Sequence, residues 1–191
     1  MRHDERADSS TSSEAPWVIE LRAPRASDAA AIWELVEASG VLDLNSPYAY
    51  LLLCTHFART AVVATRNGEL IGFVLGYKRP DDGHTAFVWQ VGVAERARGR
   101  GVGRALLEAW FARCARDPNV HFLEATITPA NDASRALFCS FARQHGAGLL
   151  ERVEFPASLF PAGAGHEEEI CLRIGPLPLG RAIDPAQQEA T

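Results

Sequence analysis

A loop rich in glycine and arginine, set between an apolar segment and a helical one, most constrains how this chain folds. It runs from Val91 to Arg104 as VGVAERARGRGVGR. Glycines let successive backbone N–H groups approach one anion, and the start of a helix adds a favourable dipole. Arginines at positions 96, 98, 100 and 104 add positive charge. The segment therefore predicts a strand–loop–helix unit whose loop binds a phosphate group.

Two common phosphate loops do not fit this segment. A Walker loop ends in Gly-Lys followed by Ser or Thr, and the segment lacks that ending. A dinucleotide-binding loop needs a third glycine where Leu106 stands. A glycine-rich turn with solvated arginines would explain any one of these residues, but it explains the whole string poorly.

Length and composition narrow the class of protein. The chain has 191 residues, 47% of them hydrophobic, and a net charge of -5, which fits one globular domain. The acidic balance argues against a nucleic-acid binder, and no apolar run is long enough for a membrane helix. The four cysteines form no CxxC pair, and no secretory signal is visible. We therefore expect free thiols in the cytoplasm.

Periodicity and turn residues predict the order β-α-α-β-β-β-α-β-α-β-β over residues 16–176, between flexible tails at 1–15 and 177–191. The sharpest signals are Ser46-Pro47, a helix cap followed by proline, and Asn67-Gly68 between two strands. Hairpins that lead into a β-α-β unit predict an α/β fold with a mixed, mostly antiparallel central sheet flanked by helices.

The pattern Arg98-x-x-Gly101-x-Gly103 after an apolar strand resembles the acetyl-CoA pyrophosphate loop of the GNAT N-acetyltransferases. Asn131 stands where that family contacts the pantetheine arm, and it is also suited to cap a helix. The resemblance implies the acyl-CoA N-acyltransferase fold and acetyl-CoA as co-substrate, with no metal. The cofactor-binding residues it implies are Val91, Val93, Arg98, Gly99, Arg100, Gly101, Val102, Gly103, Arg104, Asn131 and Ser134.

Four further strings are similar to the diaminobutyrate acetyltransferases, the ectoine-pathway branch of that superfamily. They are DLNSPYAY from position 43, FVWQV from 87, TPANDASRALF from 128 and HEEEI from 166. This resemblance spans about residues 18–176. It implies acetyl transfer to the side-chain (N4) amine of L-2,4-diaminobutyrate by a cytoplasmic homodimer that binds neither nucleic acid nor membrane.

Such a substrate has two amines and one carboxylate, so its site needs acidic or acceptor groups. Strand alternation puts Glu124 and Thr126 on one face, and a glutamate in an apolar strand is unusual because burying an unpaired carboxylate is costly. We expect Glu124 to be the catalytic base, directly or through water, with His166 as the alternative. For the substrate-binding residues that follow, packing, a turn or a solvated surface are the competing explanations. The predicted substrate-binding residues are Asp43, Tyr48, Trp89, Gln90, Thr126 and Glu169.

One position departs from the GNAT pattern. The family often has a tyrosine as general acid for the leaving thiolate where this chain has Phe138, which cannot donate a proton. We therefore expect Phe138 in the core and the general acid elsewhere. Two other functions stay open: a GNAT enzyme for another amine, such as ornithine, lysine or a polyamine, and a non-catalytic acyl-CoA sensor.

Overall fold

The computed structural model describes residues 17–163 and 165–177 and contains seven strands and four longer helices in the predicted order. The strands are β1 (Glu20–Arg22), β2 (Ala61–Arg66), β3 (Glu69–Lys78), β4 (Thr85–Val93), β5 (Phe122–Ile127), β6 (Leu149–Phe155) and β7 (Glu169–Ile174). The helices are α1 (Ala29–Ser39), α2 (Pro47–His56), α3 (Val102–Cys114) and α4 (Asp132–Gln144).

The strands form one sheet in the order β1-β2-β3-β4-β5-β7-β6. Among the strands of the described residues, only β4 and β5 pair in parallel, and the other neighbours are antiparallel. The prediction of a mixed, mostly antiparallel sheet is therefore confirmed.

Local sequence signals account for two of the turns. Ser46 Oγ accepts a hydrogen bond from the Ala49 N–H at 3.3 Å, so Ser46 caps α2 as predicted. Asn67 and Gly68 have φ angles of 52° and 81°, the left-handed conformation that the tight hairpin between β2 and β3 needs. Ser27-Asp28 before α1 also predicts a helix cap, but Asp28 makes no cap hydrogen bond to α1. Its carboxylate accepts instead from the Arg22 guanidinium at 2.7 Å and the Arg25 N–H at 2.6 Å.

The helices pack on opposite faces of the sheet. α3 and α4 cover one face with a core that includes Leu106, Trp110 and Phe138, which confirms the prediction for Phe138. α1 and α2 cover β2, β3 and β4 on the other face, where Ile32 and Tyr50 are buried. Full burial of each large apolar side chain contributes about 1.5–3 kcal/mol, so both layers hold the sheet in place.

The parallel pair of strands separates half-way along its length. β4 and β5 pair only as far as Val88 and Ala125, although both strands continue. The register of β3 against β4 shifts at the same level, so that Trp89 is an extra residue in β4. Because an extra residue bends its strand, β4 turns away from β5 and leaves a gap between them.

Leu177, at the C-terminal end of the described residues, packs against the core. Leu177, which the sequence analysis assigned to the C-terminal tail, is buried, and its N–H donates to the His121 carbonyl at 2.7 Å. The rest of that tail and the N-terminal one lie outside the described residues. All four cysteines are free, as expected. Across the described ranges, no helix has the length and apolar character needed to cross a bilayer.

Candidate active site

A cavity of about 680 Å³ opens where β4 and β5 separate. The end of β4, the following loop and the first turns of α3 and α4 form its walls. The predicted cofactor residues that line it are Val91, Val93, Arg98, Gly99, Gly101, Val102, Gly103, Asn131 and Ser134.

Backbone conformation explains the glycines of the loop. Gly99 and Gly101 have φ angles of 73° and 77°, which an L side chain rarely adopts, and Gly101 directly precedes α3. The first N–H groups of a helix have no partners inside the helix, so the start of α3 presents donors and a positive dipole end to the cavity. The loop can therefore hold an anion, as predicted from its sequence.

Asn131 both caps α4 and lines the cavity. Its Oδ1 accepts a hydrogen bond from the Ser134 N–H at 3.0 Å. The cap uses the amide oxygen and leaves the Nδ2 donors for another partner. The two explanations that the sequence left open for Asn131 are therefore compatible.

Two predicted cofactor residues lie outside the cavity lining. Arg100 stacks on Trp17, with its Cζ 4.0 Å from the ring centroid. Arg104 is exposed on the first turn of α3. Arg98 does line the cavity, and its Nε donates to the Val93 carbonyl at 3.3 Å. The arginines of the loop therefore point in different directions and do not form one patch.

Near the gap, Asp43 lies close to His166 and Glu169, which come much later in the chain. His166 Nε2 lies 3.5 Å from Asp43 Oδ2 and 3.9 Å from Glu169 Oε1. The ligand atoms of all three lie within 4.8 Å of one another. The loop before α2 supplies Asp43, and the start of β7 supplies Glu169. Two carboxylates this close together can hold a small cation.

The surroundings of His166 fix its tautomer. Its Nδ1 lies 2.7 Å from the Glu167 carbonyl oxygen, so Nδ1 carries the proton and the neutral ring leaves a lone pair on Nε2. The hydrogen bond to Glu167, assisted by the charges of Asp43 and Glu169, raises the pKa of His166. Burial raises the pKa of Glu169, although Thr126 and His166 partly oppose this rise.

Glu124 lies in a different environment. Its side chain is 1% exposed and accepts hydrogen bonds from Arg173 at 2.6 Å and Arg79 at 2.7 Å, with Arg152 at 3.4 Å. Burial alone would raise the pKa of Glu124, but the Arg173 and Arg79 guanidiniums outweigh that effect and lower it. A carboxylate held in this way is a weak proton acceptor, so the contacts of Glu124 favour a positioning role over that of a base.

The predicted pocket aromatics divide between the site and the surface. Trp89, Thr126 and Glu124 line a second cavity of about 830 Å³ on the α1–α2 face of the sheet. Tyr48, in contrast, is 67% exposed on the first turn of α2.

Tyr50 is the residue that the sequence analysis missed. It is buried, and its hydroxyl donates to Gln90 Oε1 at 3.2 Å. Gln90 Nε2 in turn donates to the Asp43 carbonyl at 2.7 Å, which fixes the loop that carries Asp43. Helix geometry could have indicated this, because residues two apart face different directions, so Tyr48 and Tyr50 cannot both point into the site.

The two cavities border the same gap. Val91 and Thr128 line the first cavity, whereas Trp89 and Thr126 line the second. Trp89 and Val91 are two residues apart in β4, and Thr126 and Thr128 are two residues apart at the end of β5. All four follow Val88 and Ala125, the last residues that pair the two strands. A group delivered through the first cavity can therefore meet a nucleophile that enters from the second.

Comparison with known proteins identifies the fold. The model of the Acetyltransferase (GNAT) family matches residues 29–141. This chain belongs to the GNAT family. It is 47% identical to an L-2,4-diaminobutyric acid acetyltransferase of Streptomyces coelicolor, over 85% of this chain and 95% of that one. A second enzyme of the same name, from Marinococcus halophilus, is 47% identical over 80% of this chain and 87% of its own.

Solved GNAT structures agree with this result. A diaminobutyrate acetyltransferase from Paenibacillus lautus, in complex with L-2,4-diaminobutyric acid and coenzyme A, has a TM-score of 0.79 and 38% identity. The match covers 83% of this chain and 95% of that one. Ard1 from Thermoplasma volcanium, at 20% identity and a TM-score of 0.67, shares the fold. The GNAT fold and the resemblance to diaminobutyrate acetyltransferases are thus confirmed.

Three of the four cysteines of this GNAT chain are poor nucleophiles. Burial raises the pKa of Cys54 and Cys171 to about 11 and that of Cys114 to about 12. Thiols with such pKa values are protonated at neutral pH and react slowly.

Proposed function

We propose that this chain transfers the acetyl group of acetyl-CoA to the side-chain (N4) amine of L-2,4-diaminobutyrate. One observation carries the proposal: the cavity lined by the phosphate loop extends to Leu42, the neighbour of Asp43, which belongs to a cluster of carboxylates suited to an ammonium group. The names of the similar enzymes and the ligands bound in the Paenibacillus lautus structure support the same pair of substrates. The product, N4-acetyl-L-2,4-diaminobutyrate, would serve ectoine synthesis.

Acetyl-CoA would occupy the first cavity. Its pyrophosphate would lie at residues 98–103, where backbone N–H groups, the start of α3 and Arg98 supply positive potential. The Nδ2 donors of Asn131 would contact the pantetheine arm. The N–H groups of Val91 and Val93, beyond the point where β4 leaves β5, would polarise the thioester carbonyl and stabilise the oxyanion.

Diaminobutyrate would enter from the second cavity along Trp89. Asp43 and Glu169 would bind its side-chain ammonium, whose pKa is about 10, near that of lysine. His166 Nε2, the lone-pair nitrogen between these carboxylates, would accept the proton. General-base help of this kind contributes about 10²–10⁴-fold. The base is thus the residue that the sequence analysis placed second, and Glu124 positions the strands around it.

The acetyl group would pass directly between the two substrates. The neutral amine attacks the thioester carbon, the C–S bond breaks, and CoA leaves as a thiolate. The attacking nitrogen releases its second proton as the amide forms, and the thiolate takes up one proton, which Phe138 cannot supply. Because three of the cysteines have raised pKa values, an acyl-enzyme through them is disfavoured. In the proposed reaction both substrates are bound together.

We also propose that the enzyme is a cytoplasmic homodimer. β6 forms one edge of the sheet and carries the exposed apolar side chains Leu150, Val153 and Phe155. Exposed apolar groups on an edge strand are suited to pairing with a second copy. Sedimentation equilibrium should give twice the mass of one chain, and a monomer mass at all concentrations would contradict the dimer.

The reaction is tested by the rate of CoA release with acetyl-CoA and four amines: diaminobutyrate, ornithine, lysine and 2,3-diaminopropionate. We expect a strong preference for diaminobutyrate, with NMR of the product placing the acetyl group on the side-chain nitrogen. A different preferred amine would overturn the substrate and leave the acetyl transfer standing. Binding of acetyl-CoA without turnover of any amine would instead indicate a sensor.

A further inference from the structure

Two arginines from different parts of the chain stack on one tryptophan beside the phosphate loop. Arg66, at the end of β2, has its Cζ 3.9 Å from the Trp17 ring centroid, and Arg100, in the loop, has its Cζ at 4.0 Å. Trp17 itself packs against the core on the α3 side of the sheet. The stack therefore joins the start of the domain, the β2–β3 hairpin and the loop.

This stack lies just outside the first cavity. Gly99 and Gly101, the neighbours of Arg100, both line the cavity, although Arg100 does not. The loop is also fixed to the β2–β3 hairpin, because Arg96 Nη2 lies 2.6 Å from Glu69 Oε1 and donates to the Leu70 carbonyl at 3.4 Å. The Arg66 and Arg100 guanidiniums thus lie at the outer rim of the phosphate loop.

The charges of the stack are not balanced. Within residues 17–163 and 165–177, neither Arg66 nor Arg100 forms an ion pair, whereas Arg96 pairs with Glu69. The π face of Trp17 attracts each guanidinium, which offsets part of the repulsion between them. Both Cζ atoms lie over the same ring, so the guanidiniums stack on its opposite faces. An anion at the edge of the ring, within reach of both, would offset the remainder.

We propose that Trp17, Arg66 and Arg100 form a second phosphate subsite, which binds the 3′-phosphate of acetyl-CoA. This subsite rests on the proposed function for its cofactor. The 3′-phosphate is one ribose away from the pyrophosphate, so it needs donors just outside the loop that holds the pyrophosphate. Guanidinium groups meet phosphate oxygens with two parallel hydrogen bonds. Trp17 is a positioning residue, which holds the two arginines in place.

Isothermal titration calorimetry with CoA and 3′-dephospho-CoA tests the subsite without turnover. We expect the wild type to bind CoA about tenfold or more tightly than dephospho-CoA, since charge-assisted hydrogen bonds are strong. Arg66→Gln and Arg100→Gln should each reduce this ratio and leave the affinity for dephospho-CoA unchanged. Arg143→Gln, an exposed arginine near the end of α4, is the matched control and should keep the full ratio.

Trp17→Leu tests the positioning role, because leucine keeps an apolar side chain against the core and removes the π face. Its CoA preference should fall, and Trp17→Phe should restore part of it. If Trp17→Leu does not fold, the two arginine variants decide the question.

Two results would overturn the subsite: equal binding of both ligands by the wild type, or an equal loss of affinity for both in the arginine variants. Binding of neither ligand by the wild type would instead overturn the cofactor assignment, and the subsite with it.

Discussion

The two cavities that meet at the β4–β5 gap are built in different ways. The walls of the first include nine residues of one contiguous loop and strand end, Val91–Gly103, together with the start of α4. The acidic cluster beside the second brings Asp43 to His166 and Glu169 across more than half of the chain. Backbone N–H groups recognise an anion in one, whereas side chains bind a cation in the other. A local motif therefore suffices for the cofactor, but only the complete fold assembles the amine site.

The largest effect should come from the amine side. Replacing His166 with glutamine removes the Nε2 acceptor, so kcat should fall by about 10²–10⁴-fold. Affinity for acetyl-CoA should stay unchanged in calorimetry, because His166 lies outside the first cavity. Wild-type turnover in this variant would remove His166 from the mechanism.

The pH dependence of the reaction rate is a second test of His166 as the base. His166 accepts a proton only when neutral, and its pKa is raised above 6.5. The rate should therefore increase as pH rises through that pKa, with the midpoint of the acid limb above 6.5. His166→Gln should lose this limb, and an identical limb in the variant would assign it to another group.

Substitution of a loop glycine should weaken the binding of acetyl-CoA. Gly101→Glu places a side chain at φ 77° and a negative charge at the start of α3, so affinity for acetyl-CoA should fall by about 100-fold or more. Gly146→Glu is the matched control, since Gly146 has φ 60° but follows the end of α4, away from the cavity. Calorimetry with both variants separates backbone strain from loss of the anion site; equal losses would contradict the loop assignment.

Substitution of Glu124 tests whether this residue, which the sequence predicted as the base, instead stabilises the fold. Glu124→Gln leaves three arginines around a neutral amide, so the free energy of unfolding should fall by about 2–4 kcal/mol. The lowered pKa of Glu124 means that its contribution is complete above its unfolded pKa and is lost as pH falls through the folded one. Urea unfolding as a function of pH should show a larger acid-side loss in the wild type than in the variant, which still loses the contributions of other carboxyl groups with lowered pKa values, such as Asp28.

If Glu124→Gln instead keeps full stability and loses turnover by 10²-fold or more, Glu124 is the base.

The smallest effects should come from two neighbouring tyrosines. Tyr50→Phe removes the hydroxyl that holds Gln90, which fixes Asp43, so KM for diaminobutyrate should rise by about fivefold. Tyr48→Phe, on the exposed side of α2, should change KM by less than about twofold. Steady-state kinetics would contradict the assignment if Tyr48→Phe had the larger effect.

How far the sequence could predict the molecule follows from this difference between the two sites. The order of strands and helices depends on local periodicity, caps such as Ser46 and turns such as Asn67-Gly68, and all of these formed. The roles within the amine site depend on distant partners. The carboxyl of Glu124 is unusual in its strand, as the sequence indicated, but Arg79 and Arg173, the two arginines that lower its pKa, come from elsewhere in the chain.

The bend in β4 also could not be predicted from local sequence. It comes from one extra residue, Trp89, whose register against β3 no local pattern reveals.

A crystal structure with CoA and L-2,4-diaminobutyrate bound together tests the central claim most directly. We expect the CoA sulfur in the gap between β4 and β5, and the side-chain nitrogen of diaminobutyrate among Asp43, His166 and Glu169. A side-chain nitrogen bound to Glu124, with its arginines displaced, would contradict the account and return the catalytic role to that carboxylate.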